Sequence, residues 1–456
     1  MANRSKTYSH KGDGMDKLIG NKVAKNALWI IGCKVVQAVL GLIVSLLTAR
    51  YLGPSNFGVI NYAASVTAFA VPIMNLGFSN VCVQELTNYP KDEGKIVGTS
   101  IVLSFISALF CIFGICIYTF SVDRGQPVTN YVVIIYSLML VAQACELFQY
   151  WFQAKLISKY MSIISLVAYV LISLYKVVLL IVEADVYWFA LSYSLDYLLI
   201  SVGLFVAYTK LGGMSLGFSL DVGKRMFSSS KHYILSSLMV SVLGQTDKIM
   251  IKLMIDESAV GHYSAAYTCA GMSSFVFLAI IDSFRPVILG YKRDGRIQDF
   301  ERLISRLYFI VFYLALLQCI VMTLFAPLII QCLYGTDYKP SVVALQIIVW
   351  YTTFAYMGSV RNIWILSEGV QKYLWVLNLS GAAINVILNL ILIRVYGIYG
   401  AALASLITQF LTNVIMNQII APLRYNNRLM LLGVKPTNIR TYLIPKMKKE
   451  QGKNEN

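Results

Sequence analysis

The chain has 456 residues, 58% of them hydrophobic and only 13% charged, whereas a soluble domain carries about 25% charged residues. With a mean hydropathy of +0.67 it cannot fold in water without exposing apolar surface. A soluble globular fold is therefore excluded, and the natural unit is the apolar helix of about 20 residues that crosses a bilayer.

Residues 1–26 are polar and basic (Arg4, Lys6, Lys11, Lys17, Lys22, Lys25) and read as a cytoplasmic tail. The apolar run after them is of full spanning length, and no small-residue cleavage site follows a short apolar core, so no cleavable signal peptide is expected. Hydropathy then predicts spans at 27–49, 57–78, 96–120, 130–152, 161–182, 187–208, 230–254, 262–284, 307–333, 342–366, 373–393 and 398–420. The expected fold is all-α and integral to the membrane, with about twelve helices in two pseudo-symmetric six-helix bundles, 27–208 and 230–420. Between them runs a cytoplasmic linker, 209–229, with room for a short interfacial helix but no folded domain. Residues 421–456 read as a second basic cytoplasmic tail. Pro72 and Pro327 fall inside spans, where proline kinks a helix.

Orientation follows from lysine and arginine. With the N-terminus inside, only Arg50, Arg124, Lys339 and Arg394 fall in outside loops, and Lys34, Lys176, Lys248, Lys252 and Arg361 fall within spans; the other 29 of the 38 basic residues are cytoplasmic. This is the positive-inside pattern. It places both termini in the cytoplasm and explains the net charge of +16 with no nucleic-acid partner. The eight cysteines show no C-x-x-C pair and the three histidines (His10, His232, His262) are dispersed. Neither a metal site nor any cofactor is expected.

Residues 53–63 (GPSNFGVINYA) and 256–266 (DESAVGHYSAA) align with Gly58 opposite Gly261, an offset of 203 residues. Each stretch opens an even-numbered span after an outside turn. An offset of six spans preserves orientation, so the halves form a parallel repeat, a design in which transporters place a site between repeats.

Nine ionisable side chains lie within the spans: Lys34, Glu146, Lys176, Asp196, Asp247, Lys248, Lys252, Asp282 and Arg361. Each costs at least about 2.5–3.5 kcal/mol at mid-membrane, so they must face water or one another, and a shared wet cavity is the economical expectation. Asp282 and Lys252 are near helix ends, where snorkelling accommodates a charge. Gln143, Glu146, Gln149 and Gln153 recur along the fourth span; regular helical spacing puts Gln143, Glu146 and Gln153 roughly on one face. No nucleotide-binding or nucleophile-elbow motif occurs, and the spans leave no room for a catalytic domain, so no enzyme is expected.

Four segments carry a family resemblance. TARYLGPSNFGVINYA (48–63), ELFQYWFQAKLISKY (146–160), QTDKIMIKLMIDESAVGHYSAA (245–266) and INVILNLILIRVYGIYGAALASLIT (384–408) resemble, in order, segments of the Wzx-type lipid-linked oligosaccharide flippases. These belong to the multidrug/oligosaccharidyl-lipid/polysaccharide exporters. The resemblance implies two six-helix bundles and the transfer of a polyprenyl-diphosphate-linked oligosaccharide from the inner to the outer leaflet, for O-antigen or capsule assembly, in a bacterial cytoplasmic membrane. It also implies a cationic lumen. By type and depth, Lys34, Lys176, Lys248, Arg361, Gln143 and Gln149 are assigned to diphosphate and sugars. Glu146, Asp196 and Asp247 are assigned to ion coupling or counter-charge. The partners expected are the lipid-linked oligosaccharide, the bilayer, and a polymerase and chain-length regulator of the same pathway. The chain departs from the fourteen-helix variants in its last spans.

Two other readings are open at this level. An ion-coupled multidrug exporter of the same architecture would favour acidic cavity groups for cationic drugs. A membrane-embedded polysaccharide polymerase or ligase would need a sizeable outside loop, whereas the longest outside loop expected is about nine residues.

Overall fold

A computed structural model of the chain describes residues 9–438, with side chains over residues 29–437 except residues 30 and 31. Residues 1–8 and the side chains of 9–26 in the expected N-terminal tail, and residues 439–456 of the C-terminal tail, lie outside the described residues. Among the described residues every regular element is helical, and no strand occurs.

The first helix, α1 (Ser9–Met74), carries two spans. It is broken at Gly53, whose φ of 67° and ψ of 174° leave helical space, and Pro54 follows. Glycine occupies that φ without steric cost. The proline cannot donate to the turn before it but is suited to start the next. The chain is already helical at Ser9, the first described residue, so the polar stretch continues the first span. Leu76 and Gly77, both at positive φ, end the second span just past Pro72. Among the described residues, eleven helical stretches are long and apolar enough to cross a bilayer, and the first of them, Gly32–Met74, has 43 residues. Divided at Gly53 it supplies two crossings, which makes twelve.

A short helix α2 (Cys82–Asn88) leads to α3 (Glu93–Val122). The fourth span is not one α-helix. It is assembled from α4 (Pro127–Ser137), α5 (Met139–Cys145), a 3₁₀ turn at Glu146–Phe148, and α6 (Gln149–Ala154). The polar face expected from regular spacing is thus interrupted at Glu146 itself. Helices α7 (Ser158–Ile181) and α8 (Val186–Lys210) complete the first six spans.

The connection to the next helix contains no interfacial helix. Residues 213–219 run irregularly and are strapped along the start of α3. The Gly217 amide donates to the Gly94 carbonyl at 3.1 Å, and the Ser219 amide to Thr99 Oγ1 at 2.9 Å. Gly94 and Gly98 make room, since a Cβ at either would overlap this strap. Ser219 then caps α9 (Leu220–Met254) through the Val222 amide.

The remaining helices are α10 (Glu257–Gly271), α11 (Ser274–Arg293), α12 (Ile297–Leu333), α13 (Ser341–Ser367), α14 (Lys372–Tyr396), α15 (Ile398–Phe410), α16 (Met416–Ile419) and α17 (Arg424–Val434). A π turn at Leu411–Ile415 joins α15 to α16. The eighth span straddles the break between α10 and α11.

The chain packs as two compact units that divide between Gly261 and His262, so α9 packs with the first six spans. The first unit's inner core gathers Phe78, Ile96, Trp151, Phe152, Leu204 and Met226. The second gathers Phe277, Tyr308, Val311, Trp364, Leu377 and Met430. Part of the expected C-terminal tail belongs to this second core: α17 buries Leu429 and Met430, and Asn426 accepts a 3.0 Å bond from the Tyr308 hydroxyl. Apolar side chains such as Phe110, Phe113, Ile117 and Phe120 on α3 are exposed, as lipid contact requires.

Candidate functional site

Three of the expected site residues come together inside the first unit. A cavity of about 180 Å³ is enclosed by α1, α7 and α8, and its lining includes Ser45, Thr48, Tyr169, Lys176, Tyr193 and Asp196. Its shape follows from small residues at the crossing. Gly41 lies against the Tyr169 hydroxyl, and Ser173 and Ser192 turn their hydroxyls back onto their own helices. Lys176 Nζ sits 4.0 Å from the centre of the Tyr193 ring, a cation–π contact that partly replaces its lost water. Lys176 is within electrostatic range of Asp196, and Asp196 of Glu146. The Asp196 Oδ1 atom is buried without a protein hydrogen bond, as is the Oε1 atom of Gln143. Glu146 is carried by the 3₁₀ turn, the interruption in the fourth span. Such interruptions free backbone groups and mark functional hinges.

At about 180 Å³ the cavity is smaller than the ~300 Å³ at which pockets for organic ligands begin. It has room for an ion and a few waters, not for a diphosphate with sugars. A carboxylate facing a lysine, with a second carboxylate in range of the first, can store or exchange a positive charge.

The other candidates lie elsewhere. Lys34 is exposed on α1, and Gln149 is half-buried at the start of α6. Asp247 is buried on α9 beside Lys248, with which it interacts electrostatically. One turn away, Gln245 accepts a 3.0 Å bond from Ser65. Arg361 belongs to the second unit and is enclosed there, only 6% exposed. Its guanidinium donates to the Thr412 carbonyl at 3.2 Å and to Asn362 Oδ1 at 3.1 Å. That carbonyl belongs to the π turn, whose widened ladder leaves acceptors for side chains. Its neighbours fix this arginine in place.

Of the two charges expected to snorkel, Asp282 is exposed and pairs with Arg285 at 2.9 Å. Lys252 does not snorkel. It is 6% exposed and bridges Asp123 at 3.5 Å and Glu257 at 2.9 Å. Neither acid was a candidate from sequence, because both lie in turns between spans. The repeat alignment, which begins at Asp256, was the available signal. No group of histidine, cysteine and acidic residues suited to a metal occurs among the described residues.

Comparison with known proteins gives the context. The sequence model of the family described as "Polysaccharide biosynthesis protein" matches residues 23–291. The capsular polysaccharide biosynthesis protein CapF of Staphylococcus aureus is 20% identical, covering 85% of this chain and 96% of that one. A putative O-antigen transporter of Escherichia coli K12 is 19% identical over 84% of this chain and 91% of its own length. Among solved structures, the lipid II flippase MurJ in an inward closed conformation superposes with a TM-score of 0.69 at 12% identity, covering 89% of each chain. An inward-facing multidrug resistance MATE family transporter superposes with a TM-score of 0.64 at 15% identity, covering 85% of this chain and 96% of that one. The structural matches establish the fold: two six-helix halves with twelve spans. Since the family match covers more than half of the chain, this multi-pass membrane protein belongs to the polysaccharide biosynthesis protein family.

Proposed function

We propose that the protein is a flippase that turns a polyprenyl-diphosphate-linked oligosaccharide repeat unit from the inner to the outer leaflet of a bacterial cytoplasmic membrane. The repeat unit supplies a surface polysaccharide such as a capsule or O-antigen. The observation that carries this reading is the family match over residues 23–291, joined to two relatives named for capsule synthesis and O-antigen transport that align over most of the chain. In this reading both termini are cytoplasmic, and a polymerase and chain-length regulator take up the product.

The physical task is set by the substrate. A diphosphate with sugars would lose its water in hydrocarbon at prohibitive cost, whereas the prenyl chain is at home there. A wet, cationic path open sideways to lipid solves this, with the halves alternating access. Lys34 and Lys248 serve the diphosphate, and Gln149 serves the sugars. Arg361 supports the second half's helices from within. Lys176 and Asp196 serve ion coupling in the enclosed cavity, joined by Glu146, which is in electrostatic range of Asp196, with Gln143 nearby in sequence; Asp247 counters Lys248 when the path is empty.

The test is deletion of the gene, followed by treatment of right-side-out vesicles with an externally added glycosidase. Lipid-linked repeat units should be protected in the deletion strain and cleaved once the gene is restored. Cleavage at the parental rate without the protein refutes the reading. The coupling role is lost if transport in vesicles ignores both pH and sodium gradients.

A further inference from the structure

The 203-residue offset that pairs Gly58 with Gly261 also pairs Pro54 with Glu257, and these four residues touch. A Cβ built on Gly58 would overlap the Glu257 carbonyl, and one built on Gly261 would overlap the Pro54 carbonyl. Each glycine therefore receives the carbonyl of the residue four positions before its repeat counterpart. A contact that maps onto itself when its partners are exchanged is the mark of a two-fold relation. The start of the second span and the first turn of α10 thus cross with a local two-fold relation. Backbones approach this closely only where both positions lack a Cβ.

Beside this crossing lies the Lys252 cluster. Lys252 Nζ reaches Asp123 at 3.5 Å, Glu257 at 2.9 Å and Gln126 Oε1 at 2.5 Å. The Tyr62 hydroxyl donates to Asp123 at 3.0 Å, and Thr129 donates to Glu257 at 3.1 Å. The two acids differ in setting. The Lys252 and Asp123 side chains are 5% and 2% exposed, whereas Glu257 is 18% exposed and can exchange its partners for water. When Glu257 leaves, Lys252 keeps Asp123 and Gln126, so no buried charge is stranded. Stranding is what makes most buried pairs costly to open. The division into compact units falls just past this point, after Gly261.

We propose that Glu257 is a releasable latch. Bound to Lys252 and Thr129, it holds the first turn of α10 against the start of the second span and closes the side expected to face outward. Its release lets the Gly58–Gly261 crossing part. The proposal rests on the transport reading and names the groups that regulate it. Burial works to raise the Glu257 carboxyl, but bonds from Lys252 and its own amide, the Lys252 charge and the Thr129 bond outweigh it and hold it below the usual range. Protonation removes the charge that binds Lys252, so acidification favours release. The titratable groups around it are Lys252, Asp123, Tyr62, Tyr118 and Asp256; the last accepts from the Ala259 amide at 2.7 Å.

The test uses the full chain without cysteines except Ser65→Cys, a buried position one turn inward from Tyr62. Right-side-out vesicles receive a membrane-impermeant maleimide. Each rate is divided by that of denatured protein at the same pH. At pH 7.5, Glu257→Gln should label about tenfold faster, the ratio that follows from losing one charge-assisted bond. Thr129→Val, which removes one neutral donor, should move in the same direction by less. The unsubstituted latch should label faster toward pH 4, while the Glu257→Gln rate stays flat. The proposal is overturned if Glu257→Gln and Thr129→Val, both inserted at normal amounts and eluting as the parent does, label as slowly as the parent at every pH. Faster labelling confined to inside-out vesicles overturns it equally. No oligosaccharide is present, so this outcome is independent of the glycosidase assay that judges transport.

Discussion

Placing a methyl group on the glycine crossing gives the sharpest test of how the repeats meet. Alanine in place of a helical glycine ordinarily stabilises by about 0.5–1 kcal/mol. At Gly114 of α3, where an added Cβ meets nothing within 4 Å, Gly114→Ala should show that gain. Gly58→Ala and Gly261→Ala should do the opposite. Each new Cβ meets a backbone carbonyl, which no side-chain rotation can relieve, so the cost lies toward the upper part of the ~1–3 kcal/mol range for overpacking. Net of the propensity gain, each variant loses about 1–2 kcal/mol. Both clashes sit on one crossing, so a single outward shift of the helices relieves both. The double variant should therefore cost less than the sum, with a coupling of about 1 kcal/mol. The assay is the thermal midpoint of the detergent-solubilised protein followed by size-exclusion, with Gly114→Ala as reference. The reasoning is refuted if Gly58→Ala behaves like Gly114→Ala, or if the two crossing substitutions add without coupling.

Further outcomes follow from the charged groups. Arg361→Ala should destabilise the second unit by about 2–4 kcal/mol, since it leaves buried acceptors unpaired. Arg361→Lys should not restore the thermal midpoint, because an ammonium cannot reproduce the forked donation to Thr412 and Asn362. An unchanged midpoint with lost export would instead assign Arg361 to substrate. Lys176→Met should leave Asp196 without its cation and lower the midpoint by about 1–3 kcal/mol equivalent, and adding Asp196→Asn should recover part of the loss; a double variant no better than the single counts against the pairing. For Glu257 the folded carboxyl is held below its ordinary value. Its contribution is therefore complete above the ordinary glutamate value of about 4.3 and fades as pH falls through the lower folded value. The parent's thermal midpoint should drop more steeply than that of Glu257→Gln in that acidic window, and parallel curves would contradict the assignment.

The sequence by itself determined the twelve spans and the all-helical class, because transfer to hydrocarbon depends on local composition and needs no partner. It also exposed the pairing of Gly58 with Gly261, since a close backbone crossing imprints itself as glycine. The four resembling segments pointed to the family that the comparisons then established. What tertiary structure alone decided is which helices abut. Lys252 reads from sequence as a residue near a helix end, free to snorkel, and only the arrival of Asp123 from a distant turn, beside the nearby Glu257, makes it a buried ion pair. Arg361 reads as one more lumen cation, and the π turn at Leu411–Ile415 gives it a fixed acceptor in the Thr412 carbonyl. The break at Glu146, the strap at 213–219 and the docking of α17 were equally invisible. Hydropathy records how much of a helix avoids water, whereas a buried charge is settled by the particular oxygen or nitrogen placed within 3 Å of it, and that neighbour can lie a hundred residues away.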